Sequence, residues 1–462
     1  MSSLDRMHRR AFLKLGSLAG AALALPARGA YDQGSTGGQL LIRQATILSM
    51  DPAIGDIVDG DVLISDGRIT SVGQRLRNHG CEELDARGMI LIPGIVDAHW
   101  HLWNSLLRSS APQPGGDPFF KSQLATSSRF TPELTALGVR LGLAEAVNTG
   151  ITTVNNWAHN LRTPQFADAE LRAMADSGLR GRLWYGYAQD LAASAEMDFQ
   201  SIERMHRRLG EGRGRIDLGL AIRGPERTEA PVWEKEFAFA RAHGLPVSTH
   251  IAVSQQMQQK KAVQQLAQRG LLDASVQLVH ATHVDARDID DIFRGGASVC
   301  LTPLTEMRVG YGLAPVAALK RAGVAVSLGI DTLVLGGNAN PFMLMQTTLN
   351  LAAGMTGDEQ ALTAREVLHW ATQGGASAMG LGEVTGSISP GKRADLALID
   401  ARRLGMFPVS DPVASVVQSA TPADVDTVIA DGRVLKRGGR LTGVDVASLA
   451  AEAVAGLGAL RR

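Results

Sequence analysis

The chain has 462 residues, of which 45% are hydrophobic and 20% charged, so a disordered or fibrous protein is excluded and a large α/β domain with a smaller one fits the length. It carries 46 lysines and arginines against 46 aspartates and glutamates, so its formal net charge is zero. Because no net positive charge attracts it to nucleic acid or anionic lipid, a small molecule is the favoured partner. Only Cys81 and Cys300 could pair, so a disulfide framework is excluded as well.

The first thirty residues combine three features of an export signal. Arg9 and Arg10 come first, an apolar stretch runs from Leu15 to Leu25, and small residues follow up to residue 30. The paired arginines resemble a twin-arginine signal, which implies the twin-arginine export machinery and a periplasmic or otherwise exported protein. The alternative is an amphipathic N-terminal helix. No later apolar run is long enough for a membrane span.

Short strands are expected in residues 39–93. The apolar runs lie at 40–42, 46–48, 61–64, 69–72, 84–88 and 89–92. We predict that the first two pair with each other, that the Asp66-Gly67 turn joins the next two in a hairpin, and that the last two form another hairpin. This part of the chain is predicted to be the N-terminal half of a β-sandwich.

Residues 94–385 alternate between short apolar runs and longer helical patterns. Candidate strands are the run before His99 and residues 150–154, 183–186, 218–222, 246–249, 276–279, 297–300 and 324–328. Helical patterns between them include 132–148, 166–177, 232–242 and 254–269. Eight such units predict an α/β fold closed into a (β/α)8 TIM barrel. A doubly wound open sheet is the alternative, but no Gly-rich dinucleotide fingerprint supports it.

The chain returns to β structure in residues 386–440. Residues 387–400 indicate a turn into a strand, and residues 425–430 and 433–435 indicate a hairpin around Asp431-Gly432. We expect these strands to complete the β-sandwich begun by residues 39–93. A final helix is expected within residues 441–462.

Metal-ligating side chains stand at the ends of the predicted strands. His99 and His101 end the first strand, His250 ends the fifth, His280 ends the sixth, and Asp331 follows the eighth. Because the carboxyl ends of barrel strands meet at one face, side chains that are distant in sequence can converge there. Imidazoles together with a carboxylate suit zinc or ferrous iron. One such histidine alone would be an ordinary core or surface residue, but the whole set indicates a metal site.

Longer motifs around these residues resemble the amidohydrolase superfamily. Residues 93–101 read Pro-Gly-Ile-Val-Asp-Ala-His-Trp-His, and the similarity continues through residues 250, 280, 329–331 and 386–395. It covers nearly everything after the signal and is nearest to the cytosine-deaminase-like and chlorohydrolase-like branch. The resemblance implies a (β/α)8 barrel flanked by a β-sandwich built from both chain ends.

The resemblance also implies the number of metals and the role of each residue. Binuclear members carry a carboxylated lysine on strand four, and residues 218–225 contain no lysine. One divalent metal ion, zinc or iron, is therefore expected on His99, His101, His250 and Asp331. Metal-bound hydroxide would attack the substrate, while Asp331 accepts the proton of the water and His280 polarises the scissile centre.

One position departs from the relatives that deaminate heteroaromatic rings. They carry His-x-x-Glu after strand five, whereas Val253 stands three residues after His250 here. Since valine cannot carry a proton, we predict that Glu306, after strand seven, is the proton shuttle. The alternative is that Glu306 merely pairs with a cation such as Arg308.

Further side chains at the expected barrel mouth are candidates for substrate binding. They are Trp103, Trp157, His159, Arg223 and His283. The tryptophans favour a flat or apolar substrate, and the guanidinium of Arg223 could hold a carboxylate. The alternatives are that the tryptophans are packing residues, that Arg223 pairs with Glu226, and that His283 faces solvent.

These observations predict a metal-dependent hydrolase that cleaves a non-peptide carbon–nitrogen bond of a small, cyclic molecule, as an aminohydrolase or deaminase does. An amide, lactam or carbamate hydrolase or a dechlorinase with the same metal site is the alternative, and the valine at position 253 favours it. A non-catalytic binding protein is a third class, although all four metal ligands are present. The sequence does not identify the substrate, and it neither requires nor excludes a homo-oligomer.

Overall fold

The computed structural model describes residues 38–78, 80–110, 112, 116–210 and 214–462. The export signal expected in residues 1–30 lies outside the described residues. The strands are β1 (Gln39–Leu48), β2 (Asp56–Ser65), β3 (Arg68–Gly73), β4 (Glu82–Asp85), β5 (Met89–Pro93), β6 (Ile95–Trp100), β7 (Ile151–Ala158), β8 (Arg180–Tyr185), β9 (Ile216–Ile222), β10 (Val247–Ile251), β11 (Val276–His280), β12 (Ser298–Leu301), β13 (Ala325–Leu328), β14 (Leu396–Asp400), β15 (Val425–Ala430), β16 (Arg433–Arg437) and β17 (Arg440–Leu441).

Helices connect the strands and close the chain. They are α1 (Phe119–Ser127), α2 (Pro132–Asn148), α3 (Pro164–Ser177), α4 (Phe199–Leu209), α5 (Ala230–Ala242), α6 (Gln255–Gln258), α7 (Ala262–Gln268), α8 (Ala286–Gly295), α9 (Pro303–Val309), α10 (Val316–Ala322), α11 (Leu333–Gly336), α12 (Pro341–Thr356), α13 (Ala364–Trp370), α14 (Gln373–Ala378), α15 (Pro412–Gln418) and α16 (Val446–Arg461). Short 3₁₀ helices lie at Leu102–Leu107 and Pro422–Asp424.

Strands β6 to β13 form one parallel sheet whose spatial order is the chain order. The ring closes where Trp100 of β6 bridges to Asp331, just beyond β13. Every residue of β6, β7 and β8 is buried, as expected for strands covered on both faces. The predicted TIM barrel is confirmed.

The helices between the strands follow the predicted pattern with one exception. α2 begins at Pro132, where Thr131 caps it by accepting a hydrogen bond from the backbone of Leu134. The single helix predicted for residues 254–269 is wrong, because the chain forms α6 and α7 instead. Lys261 between them has a φ of 53°, a left-handed conformation that no continuous helix contains.

Strands from both chain ends form a second, mixed sheet of nine strands. The predicted hairpin of β2 and β3 is confirmed, and so is that of β15 and β16. The two other strand pairs predicted before the barrel are wrong. β1 is one continuous strand with a left-handed residue at Gln44, and β4 and β5 both run parallel to it, β4 beside its first half and β5 beside its second.

In the middle of the terminal sheet, β5 is buried on both faces because it lies between the core of this sheet and the core shared with the barrel. In β5, Leu91 packs into the small core of this sheet, whereas Ile90 and Ile92 belong to the large core shared with the barrel. This alternation is the period of two that a strand imposes on its side chains. The sheet therefore braces the end of the barrel at which β6 begins.

Among the described residues, no helix is both long and apolar enough to cross a membrane. Cys81 and Cys300 are both free thiols, so the one disulfide that the sequence permits is not formed.

Candidate metal centre and active site

The barrel brings the four predicted metal ligands together at the carboxyl ends of its strands. His99 lies in β6, His101 directly after it, His250 in β10, and Asp331 three residues past β13. The first and last strands are joined here, since the backbone N–H of His101 donates to the carbonyl of Asp331 (2.6 Å) and that of Asp331 to the carbonyl of His99 (2.7 Å).

Gly329 explains why this approach is so close. A Cβ atom at this position would lie 2.7 Å from the carbonyl oxygen of His99. Only glycine lets the loop after β13 lie against the backbone of β6. The Gly-x-Asp motif thus places the carboxylate of Asp331 beside the histidines.

The distances between the four ligand atoms fit a tetrahedral ion. Nε2 of His99 lies 3.2 Å from Nε2 of His101 and 3.3 Å from Nε2 of His250. Oδ1 of Asp331 lies 3.4 Å from Nε2 of His99 and 3.3 Å from Nε2 of His101. Ligands about 2.0–2.1 Å from a zinc ion in tetrahedral geometry are about 3.3 Å apart, so these four distances, each of which involves His99 or Asp331, match the spacing around such an ion.

The protonation states also suit a cation. Burial lowers the pKa of His99, His101 and His250, which leaves each ring neutral with a nitrogen lone pair available. Burial alone would raise the pKa of Asp331, but the hydrogen bond to His99 and the electrostatic effect of the surrounding imidazoles lower it. Neutral imidazoles and an ionised carboxylate are the forms that bind metal. The residues present therefore fit one divalent metal ion.

Buried polar groups behind the ligands orient them. Nδ1 of His101 donates to the carbonyl of Trp157 (2.9 Å), which turns Nε2 towards the other ligands. The carboxylate of Asp97 accepts a hydrogen bond from the backbone of Ile330 (2.7 Å), and burial raises the pKa of Asp97 to about 8. Asp97 was not among the predicted site residues, although it stands two residues before His99 on the same side of β6.

His280 has a hydrogen-bonding environment of its own. It ends β11 with a φ of 73°, and its Nδ1 lies 3.0 Å from the hydroxyl of Thr302 and 3.4 Å from Oε1 of Glu306. Glu306 is 1% exposed, and its carboxylate accepts a hydrogen bond from the backbone of Thr302 (2.8 Å). The described residues show no ion pair between Glu306 and Arg308. Glu306 therefore reaches the site through the ring of His280.

The predicted substrate-binding residues are divided between the cavity and the wall behind it. His159 lines the cavity above the ligands and accepts a hydrogen bond from the indole of Trp103 (3.2 Å). Trp103 and Trp157 are fully buried, and the indole of Trp157 donates to the hydroxyl of Ser248 (3.0 Å). Nε2 of His283 donates to the backbone carbonyl of Tyr311 (2.6 Å).

Arg223 is directed into the protein. Its guanidinium donates to the carbonyls of Leu191 (3.1 Å) and Ala192 (2.6 Å) and lies 3.7 Å from Glu236. The alternative pairing with Glu226 is not formed. Backbone carbonyls therefore engage both Nη1 and Nη2 of Arg223, the two donors that would otherwise reach a substrate carboxylate.

A cavity of about 220 Å³ opens above the four ligands. Its polar walls are His101, Asn104, Gln123, His159, Tyr187, Gln189, Arg227, His250, His280, Tyr311, Asp331 and Thr332, and its apolar walls are Phe119, Phe120, Leu124, Val309 and Leu335. Sequence reasoning missed Arg227, which follows β9 by five residues. The only local signal is its place just beyond a barrel strand.

Comparison with known proteins agrees with this geometry. Residues 90–435 match the amidohydrolase family, and the chain belongs to that family. A 5-methylthioadenosine/S-adenosylhomocysteine deaminase of Pelotomaculum thermopropionicum is 30% identical over 426 residues, which cover 90% of this chain and 97% of the relative. A 5'-deoxyadenosine deaminase of Methanosarcina mazei is 29% identical over 424 residues, with 90% and 96% covered.

Solved structures show the same fold. An adenosine deaminase from Xanthomonas campestris with bound zinc has a TM-score of 0.84 and 25% identity, and the match covers 92% of this chain and 99% of that one. An atrazine chlorohydrolase from Arthrobacter aurescens complexed with zinc has a TM-score of 0.79 at 23% identity, covering 90% and 100%. The latter likeness concerns the fold alone. The chain is a metal-dependent hydrolase of a small molecule, as predicted, and its membership of the amidohydrolase family supports a carbon–nitrogen bond as the one that it cleaves.

Proposed function

We propose that the protein is a zinc-dependent aminohydrolase that removes the exocyclic amino group of a 6-aminopurine nucleoside or a closely similar heterocycle, with release of ammonia. The observation that carries this proposal is the convergence of His101, His250 and Asp331 on His99, each at a distance of 3.2–3.4 Å from its Nε2 atom. Curated relatives at about 30% identity are deaminases of such nucleosides, which supports the substrate class.

Asp331 and His280 have different roles in the proposed reaction. When bound, zinc lowers the pKa of a water ligand towards about 7 and so supplies a nucleophile at neutral pH. Asp331, ionised and beside His99 and His101, accepts the proton of that water. The ring of His280 lines the cavity, so it can contact the ring nitrogen or the amine under attack.

The proton that relatives handle with a glutamate at position 253 needs another carrier, since Val253 is apolar. We assign this role to Glu306 acting with His280. The carboxylate does not line the cavity, but it lies 3.4 Å from Nδ1 of a ring that does. Any proton that Glu306 exchanges with substrate therefore passes through the imidazole of His280.

A second candidate function keeps the metal and changes the bond that breaks. The valine at position 253 removes the group that heteroaromatic deamination uses in relatives, which favours an amide, lactam or carbamate hydrolase or a dechlorinase. The products separate the candidates: deamination releases ammonia, amide cleavage leaves a carboxylate, and dechlorination releases chloride.

The test is a screen of zinc-loaded protein against 5'-deoxyadenosine, 5-methylthioadenosine, adenosine, cyclic amides and chlorotriazines. Ammonia, chloride and the product mass are measured for each compound, with the Asp331→Asn variant as the matched control. We expect one ammonia per oxo-purine formed and no turnover by the control. Chloride or a ring-opened acid without ammonia would instead establish the second candidate.

A further inference from the structure

The wall of the cavity carries one cation that the metal site does not use. Arg227, in the loop after β9, is the only lysine or arginine among the described residues that line it. Asp331 is the only acidic residue of the same wall, and it is a metal ligand. With a divalent ion bound, the cavity is therefore strongly electropositive and attracts anions.

Arg227 differs in its ion pairing from Arg162, which follows β7 at the same end of the barrel. Arg162 pairs with Asp190 at 3.1 Å. Among the described residues, no carboxylate forms an ion pair with Arg227.

The carboxylate nearest along the chain is committed elsewhere. Glu226 accepts a hydrogen bond from the backbone of Ala252 at 2.6 Å. Nε of Arg227 is buried without a hydrogen-bond partner in the described structure. A partly desolvated guanidinium without a counter-charge is costly, so a ligand that supplies the charge is expected to bind there.

Tyr311 provides a second donor beside this arginine. Burial raises the pKa of Tyr311 although the nearby guanidinium of Arg227 acts in the opposite direction, so the phenol keeps its proton and can donate it. The ring centre of Tyr311 lies 5.3 Å from that of His280, and the bond from His283 to the backbone carbonyl of Tyr311 fixes this segment. The pair thus faces the same cavity as the ligands.

We propose that Arg227 and Tyr311 form a subsite for an oxyanion of the substrate, so that the preferred substrate carries a carboxylate or phosphate remote from the amino group. The inference rests on the proposed function and deepens it. A guanidinium binds either oxyanion through paired hydrogen bonds, and the phenol adds one more. Phe119, Phe120 and Leu124 line the same cavity and can pack against the part of the substrate between its two polar ends.

The test compares adenine nucleosides that differ only at the 5' position. They are 5'-deoxyadenosine, which is neutral there, adenosine 5'-carboxylate and adenosine 5'-monophosphate. We expect wild-type protein to prefer one of the two anions, and the preferred anion identifies the group. In Arg227→Gln, kcat/KM for that anion should fall roughly 10- to 100-fold while the value for 5'-deoxyadenosine changes less than about threefold. Arg227→Lys, which keeps the charge without the planar fork, should lie between.

The matched control is Arg162→Gln, which removes an arginine that pairs with Asp190 and does not line the cavity. It should leave the ratio of anionic to neutral kcat/KM unchanged. An equal loss for neutral and anionic nucleosides in Arg227→Gln, or a wild-type protein without preference for either anion, would overturn the proposal.

A binding measurement separates this inference from the proposed function. Acetate and inorganic phosphate are titrated into zinc-loaded protein while its melting temperature is followed, which requires no turnover. We expect stabilisation in wild type and in Arg162→Gln, and its loss in Arg227→Gln. If no nucleoside is deaminated but this pattern holds, the subsite stands and the proposed substrate class fails. If acetate or phosphate raises the melting temperature of Arg227→Gln as much as that of wild type, the subsite is refuted.

Discussion

Oε1 of Glu306 lies 3.4 Å from Nδ1 of His280, in a position where Glu306 is almost completely buried. Thr302 joins the two, because its hydroxyl lies 3.0 Å from the same nitrogen and its backbone donates to the same carboxylate oxygen. The carboxylate thus fixes which nitrogen of the ring is occupied and which one remains for the substrate. The two residues should behave as a unit in catalysis.

Replacing Glu306 with glutamine should lower turnover roughly 10²-fold without loss of bound metal, because the amide can still accept the bond from Thr302 but can neither take nor give the proton. His280→Ala should cost at least as much. The double variant should be hardly slower than His280→Ala, since the two side chains work together. Steady-state kinetics with parallel metal analysis measures this, and wild-type rates in Glu306→Gln would return the residue to a structural role.

His99→Ala should weaken metal binding by more than about 100-fold and abolish activity, because His99 lies within 3.4 Å of three other ligands and its loss opens the tetrahedron. Metal content after dialysis, measured by mass spectrometry, checks this. His243→Ala is the control, since this histidine lies at the end of α5 and pairs with Glu203. Full metal occupancy in His99→Ala would contradict the assigned ligand set.

Because the carboxyl of Glu170 is buried, the free energy of unfolding of the protein should fall as the pH rises. This carboxyl is buried in α3, where Asn156 donates to it at 2.5 Å, and burial raises its pKa from 4.5 to about 8. Between these two values the unfolded chain has released this proton while the folded chain retains it, so the free energy of unfolding falls as the pH increases.

The Glu170→Gln variant isolates this effect. Urea unfolding at pH 5 and pH 8 should show a smaller loss of stability for Glu170→Gln than for wild type. Exposed Glu359→Gln is the matched control and should behave as wild type. The same pH dependence in wild type and Glu170→Gln would show that the group is ionised in the folded protein.

The N-terminal segment gives a cellular prediction. If residues 1–30 are a twin-arginine signal, changing both Arg9 and Arg10 to lysine should leave the protein in the cytoplasm of a bacterial host, where wild type is exported. Fractionation and immunoblotting measure this. Changing Arg28 to lysine is the control, and unimpaired export of the double variant would refute a twin-arginine signal.

The parts of the site that could be predicted from sequence depend on local patterns. His99 and His101 stand at the end of an apolar run, and Asp331 follows a glycine whose missing side chain lets two strands meet. Strand position and spacing therefore predicted which face these side chains share. The resemblance to known metal-dependent hydrolases added the order of the ligands.

What could not be predicted depends on contacts between distant residues. The pairing of β4 and β5 with successive halves of β1 follows from the left-handed residue at Gln44, which no propensity indicates. Arg223 and Arg227 look equivalent in sequence, yet Arg223 donates to backbone carbonyls, whereas Arg227 lines the cavity and has no acid partner among the described residues. Only the folded loops after β9 distinguish them.

The hydrogen bonds between His101, Asp331 and His99 have a mechanical consequence. These bonds lie where the first barrel strand, β6, meets the loop after the last one, β13. The metal ion would be bound by residues from both strands. A bound cation would therefore cross-link the first and last strands of the barrel. Removing it should abolish activity and also make the barrel easier to unfold.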